Sequence, residues 1–219
     1  LKKETGIIMS GNHPQLIIDL LKTMTRRTYG LEMVNQFPDD WRFIRMEGDL
    51  AVFLLLKKHF GKIVPARSSS KIIRGEKPNL EFLFKCPYGQ VGGRLIIKET
   101  WATEYQYDHL KSSEIPQTAR IYYLCDDLRG FAFVGRKRSA RFMCHWMSRA
   151  RPEITGLRAE RLQEIKVNDA IQEGIVQSLQ EPQRPRELFR SFWDFLNAKC
   201  GYSWEMNSYV WVIGFKVIK

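Results

Sequence analysis

Leu16-Ile17-Ile18-Asp19-Leu20-Leu21-Lys22-Thr23-Met24-Thr25-Arg26-Arg27 changes character at its midpoint. The first half is an apolar run whose spacing suits successive helical turns. The last six residues bring together an amine, two hydroxyls and two guanidinium groups. A buried helix that runs straight into so dense a polar cluster predicts a cluster held for a chemical purpose. If the cluster is extended, Thr25 and Arg27 share one face. Thr23 and Arg26 then point the other way, to structural or solvent-facing positions.

Upstream, a strand is expected over residues 7–9 and a helix over 13–21, with Asn12 as cap and Pro14 in the first turn. Downstream, strands are expected over 41–46, 50–56, 80–85, 94–98, 120–124, 131–134 and 153–162. Gly48-Asp49 marks a turn, and the Ser-rich basic stretch 66–74 reads as a loop. Residues 86–93 are turn-rich but lack the glycine spacing of a phosphate cradle. Asn168 caps a short helix over 169–173 that stops at Gly174. Phe189, Phe192, Trp193 and Leu196 recur at helical steps within 186–199, with Gly201 beyond the end. The β-branched and aromatic finish, Tyr209 to Ile218, is expected to be a well-buried final strand. Many short strands with about three flanking helices predict an α+β fold, a partly closed β-barrel. No repeat and no linker divides it, so one domain over 1–219 is expected, with 30–88 as a β-rich elaboration.

The chain has 219 residues, 44% of them hydrophobic and 27% charged, enough for one ordinary globular core. Its longest strongly apolar run, residues 50–56, falls far short of the roughly 20 residues a bilayer span needs. No membrane association is expected. Lys and Arg number 35 against 24 Asp and Glu, a formal charge of +11 that favours a polyanionic partner. Arg136, Lys137, Arg138, Arg141, Arg149, Arg151, Arg158 and Arg161 concentrate that charge, interleaved with Phe142, His145 and Trp146. Such a pattern suits phosphate contact with stacking, or a solvated face over core aromatics. The four cysteines form no Cys-x-x-Cys pair, which predicts no metal site, free thiols and a reducing, cytoplasmic compartment. Cys144 and His145 would point to opposite faces of a strand and cannot serve one another there.

Five segments, in order, resemble the ASCH-domain family of the PUA-like superfamily, particularly its larger phage-type members. They are Lys22-Thr23-Met24-Thr25-Arg26-Arg27, then Cys86-Pro87-Tyr88-Gly89 running on to Lys98-Glu99-Thr100-Trp101-Ala102. Trp146 with Ser148-Arg149 and Arg158-Ala159-Glu160-Arg161-Leu162-Gln163 follow. Asp169-Ala170-Ile171-Gln172-Glu173-Gly174-Ile175 and the final strand complete the set. The sequence departs from the pattern at Leu20, where the signature has glycine, at Gly93 in place of aspartate, and at Cys144 in place of proline. The resemblance implies a PUA-like barrel with a cleft for a nucleobase or RNA segment. It further implies a nucleoside or RNA partner and no cofactor, and leaves the oligomeric state open. Some members hydrolyse the amide of N(4)-acetylcytidine; by motif the lysine, threonine and glutamate concerned are Lys22, Thr25 and Glu173.

In that reading Lys22 takes the proton of Thr25, the nucleophile. Its ordinary pKa near 10.4 must then fall about three units, roughly 4 kcal/mol. Glu173 protonates the leaving amine, and Arg27 steadies a developing oxyanion or grips a phosphate. The opposing expectation is a simple Lys22–Glu173 ion pair, which keeps both groups charged and suits ligand binding better than acyl transfer. Trp101, Trp146, Arg149 and Arg158 are candidate substrate or nucleic-acid contacts. The alternatives are a noncatalytic RNA-binding module that uses the cleft and the Arg-rich patch, and a ribonuclease.

Overall fold

A computed structural model describes residues 4–56, 71–74, 81–126, 128–129, 131–175 and 184–218. In chain order it opens with strand β1 (Glu4–Ile8), helix α1 (His13–Ile18), β2 (Met24–Arg27), β3 (Trp41–Glu47) and β4 (Leu50–Leu55). β5 (Lys71–Arg74), β6 (Glu81–Lys85), β7 (Arg94–Lys98), β8 (Trp101–Thr103) and β9 (Ile121–Tyr123) follow. The chain ends with β10 (Glu153–Arg161), α2 (Val167–Gln172), α3 (Arg184–Asn197) and β11 (Tyr209–Lys216). The class is α+β, as expected, with three α-helices among the described residues. The strands lie in open sheets and do not close into a barrel.

Two compact units are formed. The first comprises Leu1–Lys22, Gly93–Glu153 and Lys216–Lys219, the second Thr23–Gly92 and Ile154–Phe215. In the first, β1 runs parallel to β7 in continuous register from Glu4↔Arg94 to Ile8↔Lys98. β8 and β9 form an antiparallel pair beside it in sequence. Trp101, Ile115, Ala119, Met143 and Met147 make a core there, all buried.

In the second unit β2 pairs antiparallel with β11, and β3, β4, β6 and β5 make an antiparallel sheet in that order. β4 reads Leu50-Ala51-Val52-Phe53-Leu54-Leu55, apolar throughout because it has neighbours on both sides. Phe53 stacks edge-on against Phe84 and Tyr209, and Trp41 against Phe82. α3 buries Phe189 and Trp193 against Trp204, Val210, Val212, Leu162 and Met24, the stripe its 3.6-residue spacing announced. Gly30 holds φ +94, and a Cβ there would lie 3.0 Å from Pro87 and 3.3 Å from the Trp211 indole nitrogen.

Three local expectations change. Residues 131–134 are no strand: Phe131 closes a turn on Leu128, and Val134 meets Glu104 in one isolated bridge. Phe131 and Phe133 stay exposed, Phe131 edge-on to Tyr122 and Phe133 against Tyr105. Residues 71–74 of the expected loop form β5 against β6, while 66–70 lie outside the described residues. β2 went unanticipated, since four residues, three of them polar, carry too little periodicity to read.

Candidate functional site

The signature segment is anchored by backbone bonds before its side chains are considered. Thr23 N–H donates to Gln172 O at 2.9 Å, and Phe215 N–H donates to Thr23 O at 2.8 Å. These pin the entry to β2 between β11 and the end of α2, where Glu173 is the terminal cap. Lys22, Thr25 and Glu173 are 1%, 1% and 4% exposed. Lys22 is the last residue of the first unit; Thr25 and Glu173 belong to the second.

β2 alternates as extended chain must. Met24 turns into the α3 core, and Arg26 shares its face, with Nη1 3.5 Å from Met24 Sδ. Arg26 was expected at a solvent-facing or structural position; its side chain is fully buried. Nη2 donates to Glu160 Oε1 at 2.6 Å and to Asp169 Oδ2 at 2.8 Å, and Nη1 to Glu173 Oε1 at 3.3 Å. β10 and α2 supply these carboxylates from more than 130 residues away, which no local pattern could announce. Burial alone would lower the Arg26 pKa, yet Glu173, Glu160 and Asp169 together raise it above its ordinary value. Arg158 extends the network through Glu160 Oε2 at 2.7 Å and Asp169 Oδ2 at 2.7 Å.

By alternation Thr25 occupies the face opposite Arg26, and Arg26 bonds Glu173. Arg27 shares the Thr25 face, with Nη1 3.3 Å from its neighbour's carbonyl, Arg26 O. It also bears on Tyr88, whose phenol burial pushes up to about 12 while Arg27 pulls it back.

The Arg-rich patch separates into tied and untied cations. Arg149 grips Glu99 with both arms, Nε to Oε1 at 2.9 Å and Nη2 to Oε2 at 3.0 Å, and reaches Asp126 at 2.9 Å. Its guanidinium stacks 4.2 Å from the Tyr123 ring. Arg138 donates to Leu110 O at 3.0 Å and Tyr107 O at 2.8 Å and covers Trp101 at 5.4 Å. Trp101 is fully buried beneath it, which gives its ring to the core and leaves no face for a base. Trp146 is half-buried and packs on the same core. Arg151 donates to His145 O, and Arg161 pairs with Asp39 while stacking on Tyr209.

Arg136, Lys137 and Arg141 are exposed, and their side chains have no ionic partner among the described residues. Arg136 and Lys137 line a pocket of about 370 Å³ with Lys111, Ser112, Arg138 and Phe142. The Phe142 ring is 62% exposed, and nearby in sequence Phe133 is equally so. Lys111 was not foreseen; it arrives from a turn 25 residues before Arg136, at a place where the sequence shows a single ordinary lysine.

A second cavity in the first unit, of about 250 Å³, was missed entirely. Glu99, Cys125, Met9, Leu124, Thr100 and Lys137 line it. Cys125 Sγ donates to Glu99 Oε2 at 3.0 Å, and burial with that hydrogen bond pushes its thiol up to about 12. Lys137 reaches both cavities.

The chain is similar in structure to the crystallised ASCH domain from Lactobacillus crispatus JV V101, with 12% identity and a TM-score of 0.39 over 98% of this chain and 79% of that one. No protein-family model and no curated protein matches the chain. A likeness that remote assigns no residue a role.

Proposed function

We propose that this protein binds single-stranded nucleic acid, RNA first among the candidates, through the cationic pocket of the first unit. One observation carries the reading: Arg136 and Lys137 have no ionic partner among the described residues and line a concave site, while Arg138, Arg149, Arg158 and Arg161 in the same stretch are tied internally. A charge already held by a carboxylate releases few counterions when a phosphate arrives; an untied one releases them freely. Ser112 offers a hydroxyl to the phosphate, and the open face of Phe142 offers a stacking platform. The pocket has room for one nucleotide, and stacking on Phe142 requires a base free of its neighbours. A duplex cannot supply one.

Fluorescence anisotropy with a labelled single-stranded RNA tests this, with single-stranded DNA and duplex as comparison arms. Arg136→Ala and Lys137→Ala are each expected to weaken binding and flatten its salt dependence by about one phosphate's worth. Arg190→Ala, an exposed arginine in the second unit paired with Glu205, is the control. Equal affinity in all three variants, or competition by polyglutamate as effective as by RNA, overturns the reading.

A second reading, hydrolysis of an acylated cytidine-like nucleoside by Lys22, Thr25 and Glu173, draws support from the Thr23–Gln172 bond between the start of β2 and the end of α2. Against it stands the strand alternation, which sets Thr25 on the face away from Arg26 and its partner Glu173. Mass spectrometry of an acyl-nucleoside panel decides. The hydrolase predicts cytidine release that Lys22→Ala, Thr25→Ala and Glu173→Ala each abolish in folded protein. An uncleaved panel removes it and leaves nucleic-acid binding standing.

A further inference from the structure

We infer that the Glu99 cavity is a base-reading pocket that selects a nucleobase bearing both an exocyclic amino group and a ring carbonyl, cytosine or guanine rather than uracil. The inference rests on the nucleic-acid reading above and deepens it.

The cavity opens at the carboxyl ends of the parallel pair β1 and β7. Met9 follows the first strand and donates its N–H to Lys98 O at 2.8 Å, and Glu99 follows the second. In open α/β sheets the crevice outside the carboxyl ends of parallel strands is a recurrent place for ligands. Its walls combine three kinds of surface. Met9 and Leu124 are apolar and suit the flat faces of a heterocycle. Lys137 brings an ammonium group with no ionic partner among the described residues. Glu99 brings a carboxylate whose side chain is 3% exposed.

The Glu99 carboxylate is held rigidly but is not saturated. Arg149 donates to Oε1 and Oε2, and the Cys125 thiol donates to Oε2. A carboxylate accepts in about four directions; one on Oε1 remains. A ligand entering here meets a fixed acceptor, and an amino N–H satisfies it. Uracil has no amino group; its one donor at the pairing edge, N3–H, is flanked by two carbonyls, so a carboxylate that accepts from it is set beside a carbonyl oxygen and is met less well. A ring carbonyl or neighbouring phosphate can then face Lys137. Because Lys137 also lines the phosphate pocket, a nucleotide held there has its own base, or the next one, within the same wall of the unit.

The test uses the full chain and 7-mer RNAs: a uracil tract, and the same tract with one central cytosine, guanine or adenine. Cytosine and guanine are expected to bind about tenfold more tightly than the uracil tract, the worth of one hydrogen bond to a charged group. Adenine, with an amino group but no carbonyl, should fall between. Glu99→Gln should bring the ratio to unity. That variant also disturbs Arg149, so Leu124→Phe supplies the second arm, narrowing the cavity while leaving the Glu99–Arg149 pair alone; it too should erase the ratio. Thermal melting verifies that both variants fold. Wild-type protein that binds all four RNAs equally overturns base reading and leaves phosphate binding intact. Failure to bind any strand at low salt overturns both. A preference that survives both variants moves base selection elsewhere and overturns the assignment to Glu99.

Discussion

Arg26 is the residue on which the second unit's charge balance turns. Its fully buried guanidinium is the common partner of Glu160, Asp169 and Glu173, with Phe189 5.8 Å below it. Removing one member of such a cluster strands the others in low dielectric. Arg26→Ala is therefore expected to cost about 3–5 kcal/mol in urea unfolding. Arg158→Ala, whose side chain is 43% exposed, should cost far less, because Arg26 still holds Glu160 and Asp169. Equal losses would mean that Arg26 is not the hub. Cys125 carries a different expectation. Unfolded, its thiol ionises near 9; folded, near 12. Between those limits the unfolded chain gives up a proton that the folded one retains, and stability falls as pH rises. Tyr88 acts in the same direction between about 10 and 12. Cys125→Ala should flatten the decline measured by urea unfolding from pH 9 to 10, before Tyr88 contributes; an unchanged slope would rule out the thiol as its cause. The sequence separated Arg26 from Thr25 only on the condition that the segment is extended; that it forms a strand was not legible. Nor were the carboxylates opposite Arg26, since Glu160 and Asp169 reach it only through the tertiary fold.

At the level of elements, α1 and α2 end in the same way with different residues. Gly174 N–H bonds Ile171 O at 2.8 Å and Ile175 N–H bonds Ala170 O at 3.2 Å, a Schellman end with Gly174 at φ +92. Leu20 N–H bonds Ile17 O at 3.1 Å and Leu21 N–H bonds Leu16 O at 2.8 Å, the same two bonds with Leu20 at φ +63. The departure at Leu20 thus changes the residue and keeps the left-handed turn. A branched side chain there costs about 1–2 kcal/mol, and glycine gives back about 0.5–1 in chain entropy. Leu20 is half exposed, so little burial is lost with it. Leu20→Gly is expected to raise the melting temperature by a degree or more, and a lower one would show that the Leu20 side chain contributes packing worth more than the strain. Elements with clear periodicity were legible: β7 at Arg94–Lys98, β10, α3 and β11 stand within two residues of their expected limits. β2 and β8, four and three residues long, were not, because so short a segment becomes a strand only through its partner.

Across the whole molecule the formal charge of +11 invited a polyanion, yet the total overstates what a polyanion would meet. Arg26, Arg45, Arg149, Arg158, Arg161 and Arg190 are each paired with at least one carboxylate. Composition could not separate these from Arg136, Lys137 and Arg141, because pairing is decided by which distant segments the fold brings together. The patch was legible as letters, then, and only its untied part as a surface. The distinction is measurable. If all six basic residues of the first unit's 136–151 stretch met phosphates, the log–log salt slope for single strands would be about −4, at about −0.7 per phosphate. Three untied cations predict a slope of about −2. Affinity for a single-stranded RNA long enough to cover the unit, followed between 50 and 200 mM salt, separates the two. The steeper slope would mean that Arg149 leaves its carboxylates to take phosphate. In that event Glu99→Gln, which loosens Arg149, should tighten RNA binding, whereas the shallower slope predicts that it does not.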